Sequence, residues 1–553
     1  MSVVPEMNEL PIITVPASLA VPGINATPHI IKKLDELSES GGTLLFETGE
    51  YHFYTDGTRG GFFAPSNNAS GRKSVCFPLL DIQNLCIDGG GSVFVFHGNT
   101  FPFIVSESTN VALQNFTCDT ALSSVAALEI TEKTEEGFFC RIDKSQTPFH
   151  TESGHLIFER EGQTLTTEDG RLSLHSLDRM AIFYLFAGDT TQSKENLATS
   201  FIDSDAFELS DKLYFRYREN TQITCPFEVG ERVVINLEEK RERSVFFFEN
   251  SERITVENVT IRRSGGMGLV AQMCKDVRVR GMKTDRTFHG DTVTLTADAF
   301  HLIHCSGEFE LSECDMGSFL DDACNIHGVY TVFDRVNGDC LHLHLGHVEQ
   351  NYFCPYKAGD VLAIRDKDTL KTVCEARVRD VYFSSNDGMS LSVKVEFLYG
   401  ADALCPGFLV ENPARMPRVS IHHNRFYDFP HIRLSGAGEM HFEHNEISDC
   451  NSALLLMDLA NFWYESGRIR EAHIRHNRFI DCNAKGSDVF IQIGVSGFEP
   501  ANAPRVHELI EIAHNRFESL KRFAVCAGGV QTLALSDNTD GKDLLPDSAF
   551  LCV

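Results

Sequence analysis

Between Val75 and Thr120 the apolar residues come in short strand-like runs, VCFPLLDI, LCIDGGGSVFVF and NVALQNFTCDT, whose apolar cores of three to five residues are bounded by Asn or Gly. Short strands at short intervals with turn signals between them predict a solenoid rather than a single open sheet. The same rhythm returns near Ser244 with SVFFFENSERITVENVTIRRS, where Ile254 and Val277 stand 23 residues apart, one coil. It is clearest near the C-terminus. HNRF occurs at His423–Phe426, His476–Phe479 and His514–Phe517, with HNEI at His444–Ile447. The asparagines 424, 445, 477 and 515 are spaced by 21, 32 and 38 residues, as expected of coils of fixed length with loops let out on one side. Each Asn is expected at a turn, in the left-handed region, bonding to a ladder of its copies. These pairs are read as structural, not as ligand contacts.

Two stretches interrupt the rhythm. From about Ser123, ALEITEKTEEGFFCRIDKS, HLIFEREG, KLYFRYREN and ERVVINLEE are longer, alternating and charged, the pattern of antiparallel strands in an inserted barrel or sandwich. A second run, YKAGDVLAIRDKDTLKTVCEARVRDVYF and SLSVKVEFLYG, predicts another small barrel. Near the start, TPHIIKKLDELSESGG predicts a helix with Thr27 as cap, Pro28 at its first position and Ile30, Ile31, Leu34 and Leu37 on one face. Such a helix covers the open end of a solenoid, where a bare sheet edge invites aggregation. The expected organisation is therefore an all-β, right-handed parallel β-helix of the pectin-lyase type with two inserted small β-barrels. The capping helix and first coils take residues 1–122, and the first insertion, barrel or sandwich, 123–243. Catalytic coils take 244–348, a second barrel 349–412, and C-terminal coils 413–553.

Composition narrows the partners. A formal charge of −29 argues against nucleic acid, anionic membranes and polyanionic sugars, and favours a neutral ligand. No apolar run is long enough for a membrane helix, and the N-terminus lacks the basic and apolar regions of a signal peptide. The 17 cysteines form no regular framework, and several (Cys76, Cys86, Cys274, Cys305) sit in apolar runs, where a reduced thiol behaves as a small hydrophobe. A cytoplasmic location is expected, the alternative being export with the signal removed. Cys and His are not spaced as zinc ligands, and no metal or cofactor is expected.

The stretch around which the chain is organised is DAFHLIHCSGEFELSECDMGSFLDDACNIHG, Asp298 to Gly328. Asp298 and Asp321 are 23 residues apart, the same step as Ile254 to Val277, so they are expected to stack one coil apart beside Asp322. A clustered acid and base are the minimal apparatus of a glycosidase, and carboxylates so close cannot all ionise freely. The plainer alternative is that all three are turn residues. Among the histidines 301, 304, 327, 342, 344 and 347, His327 is the best placed to meet a sugar hydroxyl or orient the acid pair, whereas HLHLGH is alternation along a strand. NFWYESG holds the only tryptophan, Trp463, in a loop between coils, where it can stack on a sugar face while Glu465 accepts from hydroxyls; plain packing is the alternative.

DAFHLIHCSG, LDDACNIHGVY, GHVEQNYF and ALLLMDLANFWYESGRIREAHIRHNRF together resemble glycoside hydrolase family 110, α-galactosidases that remove terminal α-1,3-linked galactose, as from blood group B antigens. The resemblance spans most of the chain and implies an inverting, metal-independent exo-hydrolase. The trio also resembles that of inverting polygalacturonases. Carried over, Asp321 is the general acid, and Asp298 and Asp322 are the base that activates water. Asn325, His327, Trp463, Glu465, His304, His347 and Gln350 are the implied substrate contacts, with a neutral galactose-terminated glycan as partner and a homodimer allowed. Rivals are a polygalacturonase-like hydrolase, a β-helix lyase, or a non-catalytic carbohydrate-binding β-helix. Uronate substrates call for basic residues at the site, and the segment after the acid pair offers none.

Overall fold

The computed structural model describes residues 10–552, apart from 143, 145–146, 162, 167–171, 179, 185–203, 210–211, 220–224, 239–240 and 484–486. Thirty strands join in one largely parallel hydrogen-bonded system, a β-helix whose coils contribute up to three strands each. One face runs through Gly42–Phe46, Gln83–Phe96, Thr109–Thr120, Glu252–Ile261, Lys275–Arg280, Ser306–Ser312, Arg418–His422 and on to Val530–Ser536. Another runs through Gly71–Leu80, Thr100–Ser106, Phe246–Glu249, Leu269–Gln272, Phe300–Ile303, Cys324–Val329 and the end of Arg425–Leu434. Ile254 pairs with Val277, the 23-residue coil read from the sequence.

Inward-facing residues stack on their copies in the next coil, which fills the interior. Phe77 on Phe103 (centroids 4.4 Å apart), Phe94 on Phe116 (5.0 Å) and Phe479 on Phe517 (5.1 Å) are examples. The helix Thr27–Leu37 covers the first coil with Ile30, Leu34 and Leu37 buried, and Ile31 half-buried. Thr27 is not its cap. The N-cap is Ala26, Asn25 Oδ1 accepts from the Thr27 amide, and the Thr27 hydroxyl donates to the Tyr54 carbonyl.

In the C-terminal coils the asparagines form the expected ladder and extend it by one rung. Oδ1 of Asn445, Asn477, Asn515 and Asn538 each accepts from the backbone amide of the Asn one coil earlier, at 2.9–3.0 Å. Each Nδ2 also reaches a carbonyl of the preceding coil, as from Asn477 to Phe442 O at 2.7 Å. The left-handed residue, however, is the histidine before each Asn. His423, His444, His476 and His514 have φ of 56–57° and stack at 5.0–5.1 Å on the surface.

The first insertion joins a seven-stranded antiparallel sheet to a three-stranded one, Phe149–Glu152, His155–Arg160 and Gln163–Thr166. The two share a core that includes Phe138, Phe158 and Phe215. Among the described residues this is the sandwich form of the expectation. The second is a closed six-stranded barrel of Thr331–Asn337, Cys340–Leu345, Ser390–Tyr399, Thr372–Phe383, Val361–Arg365 and Leu409–Glu411. It begins at Thr331, ahead of the expected residue 349. The strands Thr331–Asn337 and Cys340–Leu345 belong to the barrel and not to the coils expected through 348, because strand alternation looks alike in both. The described cysteines are free, and most are buried.

Candidate active site

The acid stretch lies on the face of strands Phe300–Ile303 and Cys324–Val329. Their register sets Phe300 opposite Cys324 and His301 opposite Asn325, and the next coil sets Asn325 opposite Arg433. His301, Asn325 and Arg433 therefore form one column across three coils. The coil step here is 24, so Asp298 is level with Asp322 rather than Asp321, and the Ala299 amide donates to the Asp322 carbonyl at 2.9 Å. The expected stacking on Asp321 is off by one residue because a coil gains or loses a residue at its turns.

Above this column opens a pocket lined by Asn67, Arg241, Asp298, His301, Asp321, Asp322, Asn325, His431, Arg433, Trp463 and Glu465. The three aspartates do meet, each in different surroundings. Asp321 is the accessible one, with its side chain 31% exposed, and Arg241 Nη2 donates to its Oδ2 at 2.9 Å. Asp298 and Asp322 are buried. Burial pushes the Asp298 carboxyl well above the usual range, and the Asp321 charge adds to this against the opposing pull of Arg241. Asp322 is raised for the same first reason, though Arg433 Nε, 3.5 Å away, works the other way. An acid cluster with unequal proton affinities is the arrangement acid–base chemistry requires.

Glu465 enters from the far side, in the two-residue strand Glu465–Ser466 paired antiparallel to Gly328–Val329. Burial works to raise its pKa, but His327, Arg433, His301 and the amide of Asn67 together hold it below the ordinary range. Trp463 forms the wall beside it. Both its neighbours, Phe462 (φ 57°) and Tyr464 (φ 54°), take left-handed backbone that bulky residues avoid. The loop is held there by the barrel: Gln350 Nε2 donates to the Trp463 carbonyl at 2.9 Å, Tyr330 N donates to Tyr464 O at 2.9 Å, and the His347 ring lies 4.2 Å from that of Trp463. A Cβ at Gly346 would collide with the Tyr464 ring, so only glycine lets the barrel strand end pass so close.

Of the residues expected to touch substrate, Asn325, Trp463 and Glu465 line the pocket. His347 and Gln350 do not; they brace Trp463 from behind. His327 is buried beneath His301 with both ring nitrogens engaged, and His304 is completely buried against Phe353 and Tyr356, accepting from the Val329 amide. Neither is among the residues that line the pocket. Burial of this kind leaves no mark on a short motif.

The sequence does not single out Asn67, Arg241, His431 or Arg433, and it offers His301 only as one of six histidines among which His327 is preferred. Arg433 was reachable by carrying the coil register past the barrel. Arg241, at the end of the first insertion, and Asn67, in the loop before Gly71–Leu80, carry no periodic signal. They also overturn an argument made above, because the pocket holds two guanidinium groups although the segment after the acid pair has none. Both are already paired with aspartates. Among the described atoms of the pocket lining, Asn325 Oδ1 and His431 Nδ1 are buried without a protein hydrogen-bond partner. His301, His327 and Glu465 are the described group whose donor atoms, all within 4.8 Å, are close enough to hold a cation.

The chain matches α-1,3-galactosidase A of Shewanella woodyi at 27% identity over 528 residues, covering 93% of this chain and 83% of that protein. It matches α-1,3-galactosidase B of Bacteroides thetaiotaomicron at 25% over 535 residues, covering 94% and 84%. The chain is a homologue of the α-1,3-galactosidases. Such kinship along nearly the whole chain agrees with the resemblance to glycoside hydrolase family 110. No family model matches. Among solved structures, a polygalacturonase from Erwinia carotovora aligns over 97% of this chain and 93% of its own at 9% identity and a TM-score of 0.41, a likeness too low to add to the fold read from the ladders.

Proposed function

We propose that this glycoside hydrolase removes terminal α-1,3-linked galactose from neutral glycans by a metal-independent, inverting single displacement. Asp321 gives its proton to the glycosidic oxygen as the bond to C1 breaks. A water held by Asp298 and Asp322 attacks C1 from the opposite face and passes its proton to that pair. The observation that carries the reading is the trio itself: three carboxylates in one pocket, the accessible one beside two buried ones whose proton affinity is raised. An acidic group that must reach the leaving oxygen belongs at the open edge, and Asp321 stands there. To act, it must hold a proton and release Arg241, for which an arriving sugar's hydroxyls compete. Trp463 offers the apolar surface on which a sugar ring stacks, and Asn325 and His431 offer the unpaired polar atoms its hydroxyls need. The relatives named α-1,3-galactosidase supply the substrate class.

One observation favours a second reading. Arg241 and Arg433 in the pocket are the basic pair a uronate would require. Incubation with Galα1-3Gal and, separately, with an oligogalacturonide separates the two. Free galactose from the first and no cleavage of the second is expected. The converse would replace the substrate, and binding of galactose without its release would make the protein a carbohydrate-binding β-helix.

A further inference from the structure

From Asp298 of the acid trio a chain of four hydrogen-bonding groups runs down through His301 and His327 to the Gly328 carbonyl. His327 Nδ1 lies 2.6 Å from the Gly328 carbonyl oxygen, His327 Nε2 lies 3.1 Å from His301 Nε2, and His301 Nδ1 lies 2.5 Å from Asp298 Oδ2. The two rings meet nearly at right angles, at 83°. The order of protons along this chain is set from one end. A carbonyl oxygen only accepts, so His327 Nδ1 carries hydrogen. A neutral His327 then shows a lone pair at Nε2, and His301 must supply the hydrogen between the two Nε2 atoms. With Nε2–H fixed, neutral His301 shows its remaining lone pair to Asp298 Oδ2, and the proton in that last bond comes from the carboxyl. Moving the His301 hydrogen from Nε2 to Nδ1 would instead leave two Nε2 lone pairs facing each other across 3.1 Å between buried rings. Glu465 Oε1, 3.6 Å from His327 Nε2, is beyond hydrogen-bond reach and does not relieve this.

We propose that His301 and His327 are positioning residues for the base: anchored at the Gly328 carbonyl, they make the Asp298–His301 bond retain its proton, strengthen Asp298 as an acceptor and leave its Oδ1 for the attacking water. This rests on the reading of Asp298 as part of the base. When water attacks, its proton goes to Asp298 Oδ1 while the shared proton moves to His301 Nδ1. The imidazolium so formed keeps both hydrogen bonds, and no group along the chain loses a partner. The charged groups facing the chain are Asp321 and Asp322 beside Asp298, Glu465 beside His327, Arg241 and Arg433 across the pocket, and Glu349 close to Arg241. Both imidazoles are pushed down to about 4, chiefly by burial, in keeping with neutral rings at rest.

The test compares two substitutions in the full chain. His327→Leu removes the acceptor at His301 Nε2, whereas His327→Gln replaces it with an amide oxygen. The leucine variant is expected to lose roughly 100-fold in kcat with little change in KM, and the acid limb of its kcat/KM profile should move down by about one pH unit because the base has been weakened. The glutamine variant should keep the wild-type limb and most of the rate. If both variants keep the wild-type profile, or both lose activity with the limb unmoved, the proposal is overturned while the role of the trio stands. Nitrogen-15 shifts of labelled histidines, assigned by these substitutions, decide the chain whether or not galactose is the substrate. Nδ1–H on His327 and Nε2–H on His301 support it; the opposite tautomers overturn it. So does a stoichiometric divalent cation that is lost in His327→Gln.

Discussion

The C-terminal coils and the pocket are built from the same parts, polar side chains on stacked turns, and use them in opposite ways. In the coils each Asn meets its own copy one turn away, and every rung from Asn424 to Asn538 is satisfied by the next. In the pocket most polar groups meet partners of a different kind, the His301–His327 contact being a like pair. Asn67 joins Glu465, Arg241 joins Asp321, and His301 joins Asp298 and His327, across 3 to 398 residues of chain. Two buried atoms, on Asn325 and His431, are left over. Repetition satisfies polar groups and produces a rod. Where repetition is broken, groups of unequal charge and burial are brought together. The insertions are the means: the first ends beside Arg241, and the barrel braces the Trp463 loop.

Substitutions on the two sides should separate rate from stability. Asp321→Asn should lower kcat by roughly 10²–10⁴-fold, the usual worth of a positioned acid, with unfolding unchanged; full activity in this variant would remove the trio from the mechanism. Trp463→Ala should raise KM about tenfold, or ~1.4 kcal/mol of binding, with a smaller effect on kcat. A shift in thermal stability without a shift in KM would make the ring packing only. Asn477→Ala is the converse. It strands the amide of Asn445 and should cost about 1–3 kcal/mol, read as a lower unfolding midpoint, while kcat at 20 °C stays near wild type. A loss of kcat instead would mean that the ladder and the pocket are not separable.

The smallest effect is expected where the two regions join the barrel. Asp458, bonded by the Tyr330 hydroxyl at 2.8 Å, is pushed up to about 7 by burial. Its folded pKa is therefore above its unfolded value near 4. The stability it contributes is complete below that lower value and is lost as pH rises through about 7. Unfolding midpoints of the wild type and Asp458→Asn, taken from pH 4 to 8, should drift apart across that window and run parallel outside it.

How much of this was legible in the sequence follows from the same contrast. The ladder could be read because HNRF is a literal repeat, and the trio because two aspartate positions lie about one coil apart. The register was nevertheless missed by one residue, since coil length varies at the turns. Trp463 and Glu465 were legible as an unusual loop. Spacing says nothing of depth, so it does not distinguish His327 and His304, both buried outside the pocket lining, from ligand contacts. Asn67 and Arg241 could not be read, for each reaches the site from a loop outside the periodic pattern.

The central claim is that the trio carries out a single displacement on an α-1,3-galactoside. Proton NMR of the protein with Galα1-3Gal, recorded in the first minutes before the anomers equilibrate, tests it most directly. β-Galactose appearing first is the predicted result. α-Galactose first would leave the fold and the pocket standing but contradict the mechanism drawn from Asp298, Asp321 and Asp322.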